Sequence, residues 1–160
     1  METSVNIERT NGGGITIRLP DGEFWQSESP KDFRNVFRVP DPEIGSRYIY
    51  FLYCAGHVKI GISKSVVKRM GELQIGSPWR SKIVFIVPGG RARECFLHFC
   101  FSEHRVGGEW FRISPEMRAI IREFAIPDCV RWLEHEEDEY RDWIRQEAEC
   151  LGLISEKETT

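Results

Sequence analysis

Residues 47–62 read RYIYFLYCAGHVKIGI, and this stretch carries more information than any other part of the chain. Its first part, residues 47–53, consists of aromatic and aliphatic side chains that favour β-strands. A Cys-Ala-Gly turn follows, and residues 57–62 then alternate in the manner of a returning strand. The stretch therefore predicts an antiparallel hairpin that places Tyr50 and Lys59 on neighbouring strands.

Helices and strands are predicted to alternate on the carboxyl side of this hairpin. A serine cap at Ser63 or Ser65 begins a helix that runs to about Leu73, and Gly76-Ser77-Pro78 ends it. The pattern then predicts a strand at 82–87, a helix at 91–104, a strand at 109–113, a helix at 115–124 and a helix from 127 to about 151.

The amino side of the hairpin predicts a smaller β element. Pro20-Asp21-Gly22 forms a turn between strands at 15–19 and 23–25, and a short helix is predicted near residues 31–36. Together the elements predict an α+β fold: a small mixed β-sheet flanked by helices, with an N-terminal β-hairpin and an acidic C-terminal helix. We divide the chain into an N-terminal extension at 1–44, a core domain at 45–125, and the acidic helix and tail at 126–160.

The bulk properties indicate a cytoplasmic, non-secreted protein. The N-terminus, Met1 to Ser4, has neither the basic start nor the apolar stretch of a signal peptide, and no apolar run is long enough to span a bilayer. The five cysteines are odd in number and form no CxxC pair, so we expect a reducing compartment and no disulfide framework.

Charge is unevenly distributed along the chain. Residues 45–122 contain 13 Lys and Arg against 5 Asp and Glu, a net charge of +8. Residues 1–44 contain 5 against 8, which gives −3, and residues 123–160 contain 4 against 12, which gives −8. A basic central region provides the field that collects a polyanion, although the two outer regions can also simply neutralise it within the fold.

Four side chains of the core bring together the groups that phosphodiester cleavage requires. Tyr50 supplies a phenol, Lys59 an ammonium, Arg69 a guanidinium and Glu94 a carboxylate. Phosphoryl transfer depends mostly on positioning and on charge neutralisation, which a guanidinium and one divalent metal ion provide. His98 lies four residues after Glu94 on the same helical face, where it either orients Glu94, contacts phosphate, or is a half-buried structural histidine.

These residues, in this order, resemble the GIY-YIG nuclease superfamily. Tyr48-Ile49-Tyr50 matches the first signature, Val58-Lys59-Ile60-Gly61 matches the second, and Arg69 and Glu94 follow. The resemblance covers about residues 47–122 and looks closest to short phage- and bacterial-type domains, whose last strand begins as Gly108-Glu109-Trp110-Phe111 does here.

The resemblance implies a metal-dependent DNA endonuclease or nickase. Tyr50 would hold or deprotonate the attacking water, and Arg69 would bind the scissile phosphate. Glu94 would hold a single Mg²⁺ or Mn²⁺ that stabilises the leaving oxygen. DNA is then the expected partner.

Two departures from the family pattern leave alternatives open. Tyr48 stands in place of the first signature's glycine, and Lys59 stands in place of the second signature's tyrosine. An ammonium beside Tyr50 is expected to lower the pKa of the phenol and so to activate it. The same replacement also fits a catalytically inactive GIY-YIG-like module that binds DNA or protein. A third alternative is a protein-binding regulator that uses the acidic helix.

We also predict contacts outside the four central groups. The expected nucleic-acid contacts are Lys64, Lys68, Trp79, Arg80 and Arg105. The acidic helix, with its apolar stripe, is expected to cover the basic face and hold off DNA, to pack on the domain, or to pair with a second copy or a protein partner.

Overall fold

The structure, a computed structural model, describes residues 5–28, 32–74 and 79–154. The predicted helix stop at Gly76-Ser77-Pro78 lies outside these residues. The α+β class is confirmed, with one small sheet in the N-terminal region, a larger central sheet and four α-helices in the described ranges.

Two sheets contain the strands of the described chain. The N-terminal sheet has the order β1-β2-β3, and the central sheet has the order β6-β4-β5-β8-β7. The strands are β1 Asn6–Arg9, β2 Ile15–Arg18, β3 Phe24–Ser27, β4 Tyr48–Cys54, β5 His57–Ser63, β6 Ser81–Pro88, β7 Arg105–Gly107 and β8 Trp110–Arg112.

The helices lie close to their predicted positions. They are α1 Val66–Gln74, α2 Arg91–Cys100, α3 Pro115–Phe124 and α4 Pro127–Cys150, with short 3-10 helices at Phe33–Arg38 and Ser102–His104. Local signals set the bounds of α3: the Ser114 hydroxyl accepts a hydrogen bond from the Met117 N–H at 3.1 Å, and Pro115 occupies the first turn. Val67, which the helical spacing placed on the apolar stripe of α1, is instead exposed.

The central sheet is antiparallel throughout rather than mixed as predicted. β4 lies between β5 and β6. The chain that leaves β5 through α1 therefore returns as β6, which pairs antiparallel with β4 and not with β5. β1 and β7, both short edge strands without clear alternation, were not predicted; the N-terminal hairpin is therefore a three-stranded sheet.

The register of the central hairpin fixes which side chains share a face. Tyr50 lies opposite Gly61, and Leu52 lies opposite Lys59. Directly paired residues point to the same side of a sheet, so Tyr50 and Lys59 lie on one face, one step apart along the strands. The other face carries Phe51 and packs into the main hydrophobic core.

The segment before β4 anchors α2 by its N-terminus. The N-cap residue of α2, Gly90, provides no side-chain cap. The buried Asp41 carboxylate takes this role and accepts hydrogen bonds from the N–H groups of Gly90 at 2.7 Å and Arg93 at 3.1 Å. The Arg93 guanidinium donates to the carbonyls of Phe37, Val39 and Pro88, which ties α2 to the first 3-10 helix and to the end of β6.

Helix α4 lies on the face opposite Tyr50. Trp132 packs edge-on against Tyr53, whose side chain points away from the Tyr50 face, at a ring-centroid distance of 5.9 Å. Glu137 pairs with Arg118 of α3 at 3.0 Å, and Glu134 pairs with Arg122 at 3.0 Å. The acidic helix therefore neutralises arginines of α3 and does not cover the Tyr50 face, contrary to the hypothesis that it holds off DNA there.

The two halves of α4 differ in packing. Leu133 is in the core, whereas Trp143, Ile144 and Leu151 of the predicted apolar stripe are exposed. Pairing of this end with a second copy or a protein partner stays a prediction. In the described parts of the chain, no helix is long and apolar enough to cross a membrane.

Candidate active site

Tyr50 lies at the centre of the candidate site, on the face of the sheet opposite the main core. Its side chain is 1% exposed, and its ring lies across the backbone of Gly61 on the neighbouring strand. Any side chain at Gly61 would occupy the same space. The position of Tyr50, the tyrosine of the first signature, therefore requires a glycine at position 61 in the second signature.

Arg69 of α1 reaches the Tyr50 phenol. The guanidinium pairs with Glu72 at 3.1 Å, and its interactions with the Tyr50 phenol and with Glu72 raise the pKa of Arg69. The Arg69 side chain is 41% exposed. A permanent positive charge that is partly open to solvent thus interacts with the buried phenol.

Burial raises the pKa of the Tyr50 phenol, and the interaction with Arg69 only partly opposes this effect. The expected net lowering of this pKa is therefore wrong, and the cation that opposes the effect of burial is Arg69. At neutral pH the phenol is protonated and can orient a water molecule, but it is not a ready base.

Glu94 has the features of a metal ligand. Burial is the main cause that raises the pKa of its carboxyl to about 7, and the negative charge of Glu109 adds to the effect. Its Oε2 is buried and has no hydrogen-bond partner in the described structure. An unsatisfied buried carboxylate oxygen is costly unless a cation or proton occupies it, so Glu94 fits a divalent cation.

Lys59 and Glu109 form an ion pair beside Tyr50. Lys59 Nζ lies 3.8 Å from Glu109 Oε2, and the lysine side chain is 13% exposed. The Glu109 carbonyl accepts a hydrogen bond from the Ile60 N–H at 3.0 Å, which fixes the residue against β5. The Glu109 charge raises the pKa of both Tyr50 and Glu94, so the two carboxylates and the phenol lie near one another.

His98 joins α2 to β5 rather than standing free in the site. Its Nε2 donates to the Ile60 carbonyl at 2.8 Å, and its Nδ1 accepts a hydrogen bond from Arg105 Nη2 at 3.2 Å. Burial lowers the pKa of the imidazole, which favours this neutral form. His98 therefore holds Arg105, and its bonding gives no sign of the predicted contact with Glu94.

The other predicted nucleic-acid contacts fall into two groups. Lys64 and Lys68 line an open depression together with Arg69, on the side of α1 that adjoins the end of β5. Trp79 and Arg80 instead lie beside α4. Trp79 packs against Tyr140 and Trp143 at ring-centroid distances of 5.5 and 5.0 Å, and Arg80 lies 3.9 Å from Glu136. The structure does not bring this second group to Tyr50.

Sequence reasoning missed two participating carboxylates. The sequence placed Glu109 only at the start of the last strand, and the pairing of β5 with β8 reveals that it meets Lys59. Asp41 gave no local signal because the helix that it caps begins 50 residues later. For Glu109, the sequence offered one signal, a single acidic residue within Gly108-Glu109-Trp110.

The fold and the site agree with the result of comparison with known families. Over residues 47–146 the chain matches the T5orf172 domain. This match covers more than half of the chain, so the protein belongs to the T5orf172 domain family, which is related to GIY-YIG domains. It includes β4 and most of α4 and omits the N-terminal sheet. No curated protein and no solved structure matches the chain.

Proposed function

We propose that the protein is a metal-dependent DNA endonuclease or nickase that hydrolyses phosphodiester bonds at the Tyr50 site. The observation that carries this proposal is the buried, unpartnered Glu94 Oε2, together with a phenol whose pKa both Arg69 and Glu94 affect. A purely stabilising role does not explain a buried carboxylate oxygen without a partner, whereas binding of a cation does.

Each described group has a distinct role in this reaction. Arg69 binds the scissile phosphate and neutralises the charge that develops on its oxygens. The protonated Tyr50 phenol orients the attacking water toward phosphorus. Lys64 and Lys68, next to Arg69, attract the neighbouring phosphates.

Glu94 would hold Mg²⁺ or Mn²⁺ through its buried oxygen. A bound divalent cation supplies Lewis-acid stabilisation of the leaving oxygen, and water molecules complete its coordination. No cluster of three or more acidic, histidine or cysteine side chains that could hold a metal is found in the described ranges. A single protein carboxylate suits Mg²⁺, which keeps several of its waters.

A second function, a catalytically inactive module that binds DNA or protein, is favoured by one observation. The lysine that replaces the second signature tyrosine is neutralised by Glu109, and the remaining phenol has a raised pKa. In this alternative the same basic groups bind DNA without cutting it.

Nicking of supercoiled plasmid distinguishes the two functions. We expect conversion to the open-circular form with Mg²⁺ or Mn²⁺ and none with EDTA. Glu94→Gln should abolish nicking, whereas Glu116→Gln, an exposed carboxylate on α3, should leave it unchanged. DNA binding without nicking would favour the inactive module, and equal nicking by the wild-type and Glu94→Gln proteins would remove the proposal.

A further inference from the structure

We propose that the groove between β1 and α2 binds the phosphodiester backbone of a DNA strand beside the cleavage site. This inference rests on the proposed function for its ligand. The groove is lined by Ile7 and Arg9 from β1, by Cys95, His98 and Phe99 from α2, and by Arg105 from β7.

Two arginines in the groove lie over aromatic rings. The Arg9 guanidinium carbon lies 4.8 Å from the centroid of the Phe99 ring, and that of Arg105 lies 5.4 Å from the centroid of the Phe111 ring. Stacking fixes the plane of a guanidinium and leaves its edge available for bidentate contact with phosphate. The hydrogen bond from Arg105 to His98 restrains the second arginine further.

The charge of the groove fits an anionic ligand. Among the described residues that line it there is no carboxylate, whereas Arg9 and Arg105 are both present. The adjoining depression beyond Arg9 is lined in part by Glu103, which would repel phosphate. The favourable path for an anion therefore lies between the two arginines.

The groove also adjoins the candidate active site. Cys95 and His98, which line it, flank Glu94 on the same helix. A strand whose scissile phosphate lies at Arg69 and Glu94 can continue along α2 toward Arg105 and Arg9.

β1 lies outside the region that matches the T5orf172 domain, which begins at residue 47. One wall of the groove is therefore supplied by the N-terminal sheet and not by the family domain. The N-terminal sheet thereby extends the DNA contact beyond the cleavage site.

Anisotropy of a fluorescein-labelled DNA duplex, titrated with the full chain in EDTA over a salt series, tests the inference without cutting. Arg9→Ala and Arg105→Ala should each weaken binding roughly five- to tenfold and reduce the slope of log K against log salt by about 1. Arg9→Lys keeps the charge but not the stacking, so it should keep the slope and lose part of the affinity.

Arg18→Ala is the matched control, because Arg18 lies in the same N-terminal sheet and over an aromatic ring, Phe24, yet does not line the groove. Its affinity and salt slope should equal those of the wild-type protein. Wild-type affinity and slope for Arg9→Ala, or an equal loss for Arg18→Ala, would overturn the inference. An Arg9→Ala protein that loses affinity for an RNA duplex but not for DNA of the same sequence would overturn the assignment to DNA.

The binding assay and the nicking assay test the groove and the nuclease proposal separately. Arg9-dependent DNA binding by a chain that never nicks plasmid keeps the groove and removes the nuclease. Metal-dependent nicking with Arg9-independent binding keeps the nuclease and removes the groove.

Discussion

The phenol of Tyr50 occupies the space that a side chain at Gly61 would need. A Cβ on Gly61 would lie 2.5 Å from the Tyr50 hydroxyl oxygen and 2.6 Å from Cζ of the ring. The two residues face each other across β4 and β5, so the requirement is reciprocal. The position of the phenol depends on the absence of a side chain on the facing strand.

Gly61→Ala should therefore displace the Tyr50 ring. We expect a loss of about 1–3 kcal/mol in the free energy of unfolding, as for other overpacked sites, and at least a roughly tenfold loss of nicking. Urea denaturation and the plasmid assay measure the two effects. Gly71→Ala is the control: it lies in α1 with no atom within 4 Å of the added Cβ, and it should raise stability by up to about 1 kcal/mol. A Gly61→Ala protein as stable and active as the wild type would contradict the reciprocal requirement.

Glu94 should make stability depend on pH in the absence of metal. Its pKa is about 7 in the folded chain against an ordinary 4.5, so the folded state holds its proton over this interval and the unfolded state releases it. The resulting stabilisation is complete below pH 4.5 and is lost as pH rises through 7, a change of about 3 kcal/mol. Glu94→Gln, which stays neutral, should lack this decline and be the more stable protein at about pH 8.

Urea denaturation of both proteins in EDTA at several pH values measures the difference. Added Mg²⁺ should then stabilise the wild-type protein at about pH 8 and leave Glu94→Gln unchanged. Parallel pH profiles for the two proteins would show that Glu94 does not titrate in this interval.

Glu109→Gln should shift the pH profile of nicking. The Glu109 charge raises the pKa of Glu94, so its removal should lower that pKa. If ionised Glu94 is required, the acid limb of the profile moves to lower pH. Glu116→Gln should leave the limb in place, and a shift of the Glu109→Gln limb to higher pH would be the opposite of this result.

Asp41→Asn should destabilise the chain strongly. The Asp41 carboxylate accepts bonds from two N–H groups of the α2 start, and its charge opposes the lowering of the Arg93 pKa by burial. We expect a loss of about 2–4 kcal/mol, measured by urea denaturation. Asp32→Ala removes an exposed cap with one bond to the Arg34 N–H and should cost only about 1 kcal/mol. Equal costs for the two substitutions would remove the special role of Asp41.

Local signals in the sequence were sufficient for much of the fold. The central hairpin follows from β-propensity and a tight turn, and α3 follows from a serine cap and two prolines. Tyr50, Arg69 and Glu94 were predicted to form one site, and in the structure Arg69 and Glu94 both affect the pKa of the Tyr50 phenol. These features depend on neighbours in sequence or on a resemblance already visible there.

Features that depend on pairing between distant segments were not predictable from the sequence. Nothing near Glu109 indicates that β8 pairs with β5 and so brings it to Lys59. The direction of the Tyr50 pKa shift required the burial of the ring, which local spacing does not reveal. Trp79 was predicted to contact nucleic acid, yet it packs against two aromatic rings of α4.

The capping of α2 by Asp41 has a consequence for how this family domain can be transferred between proteins. The region shared with the T5orf172 domain starts at residue 47, six residues after the carboxylate on which the helix bearing Glu94 depends. A graft cut at the family boundary would carry Tyr50, Arg69 and Glu94 but not Asp41, which caps the helix that bears Glu94. The segment that matches the family is thus shorter than the segment that includes the cap of α2.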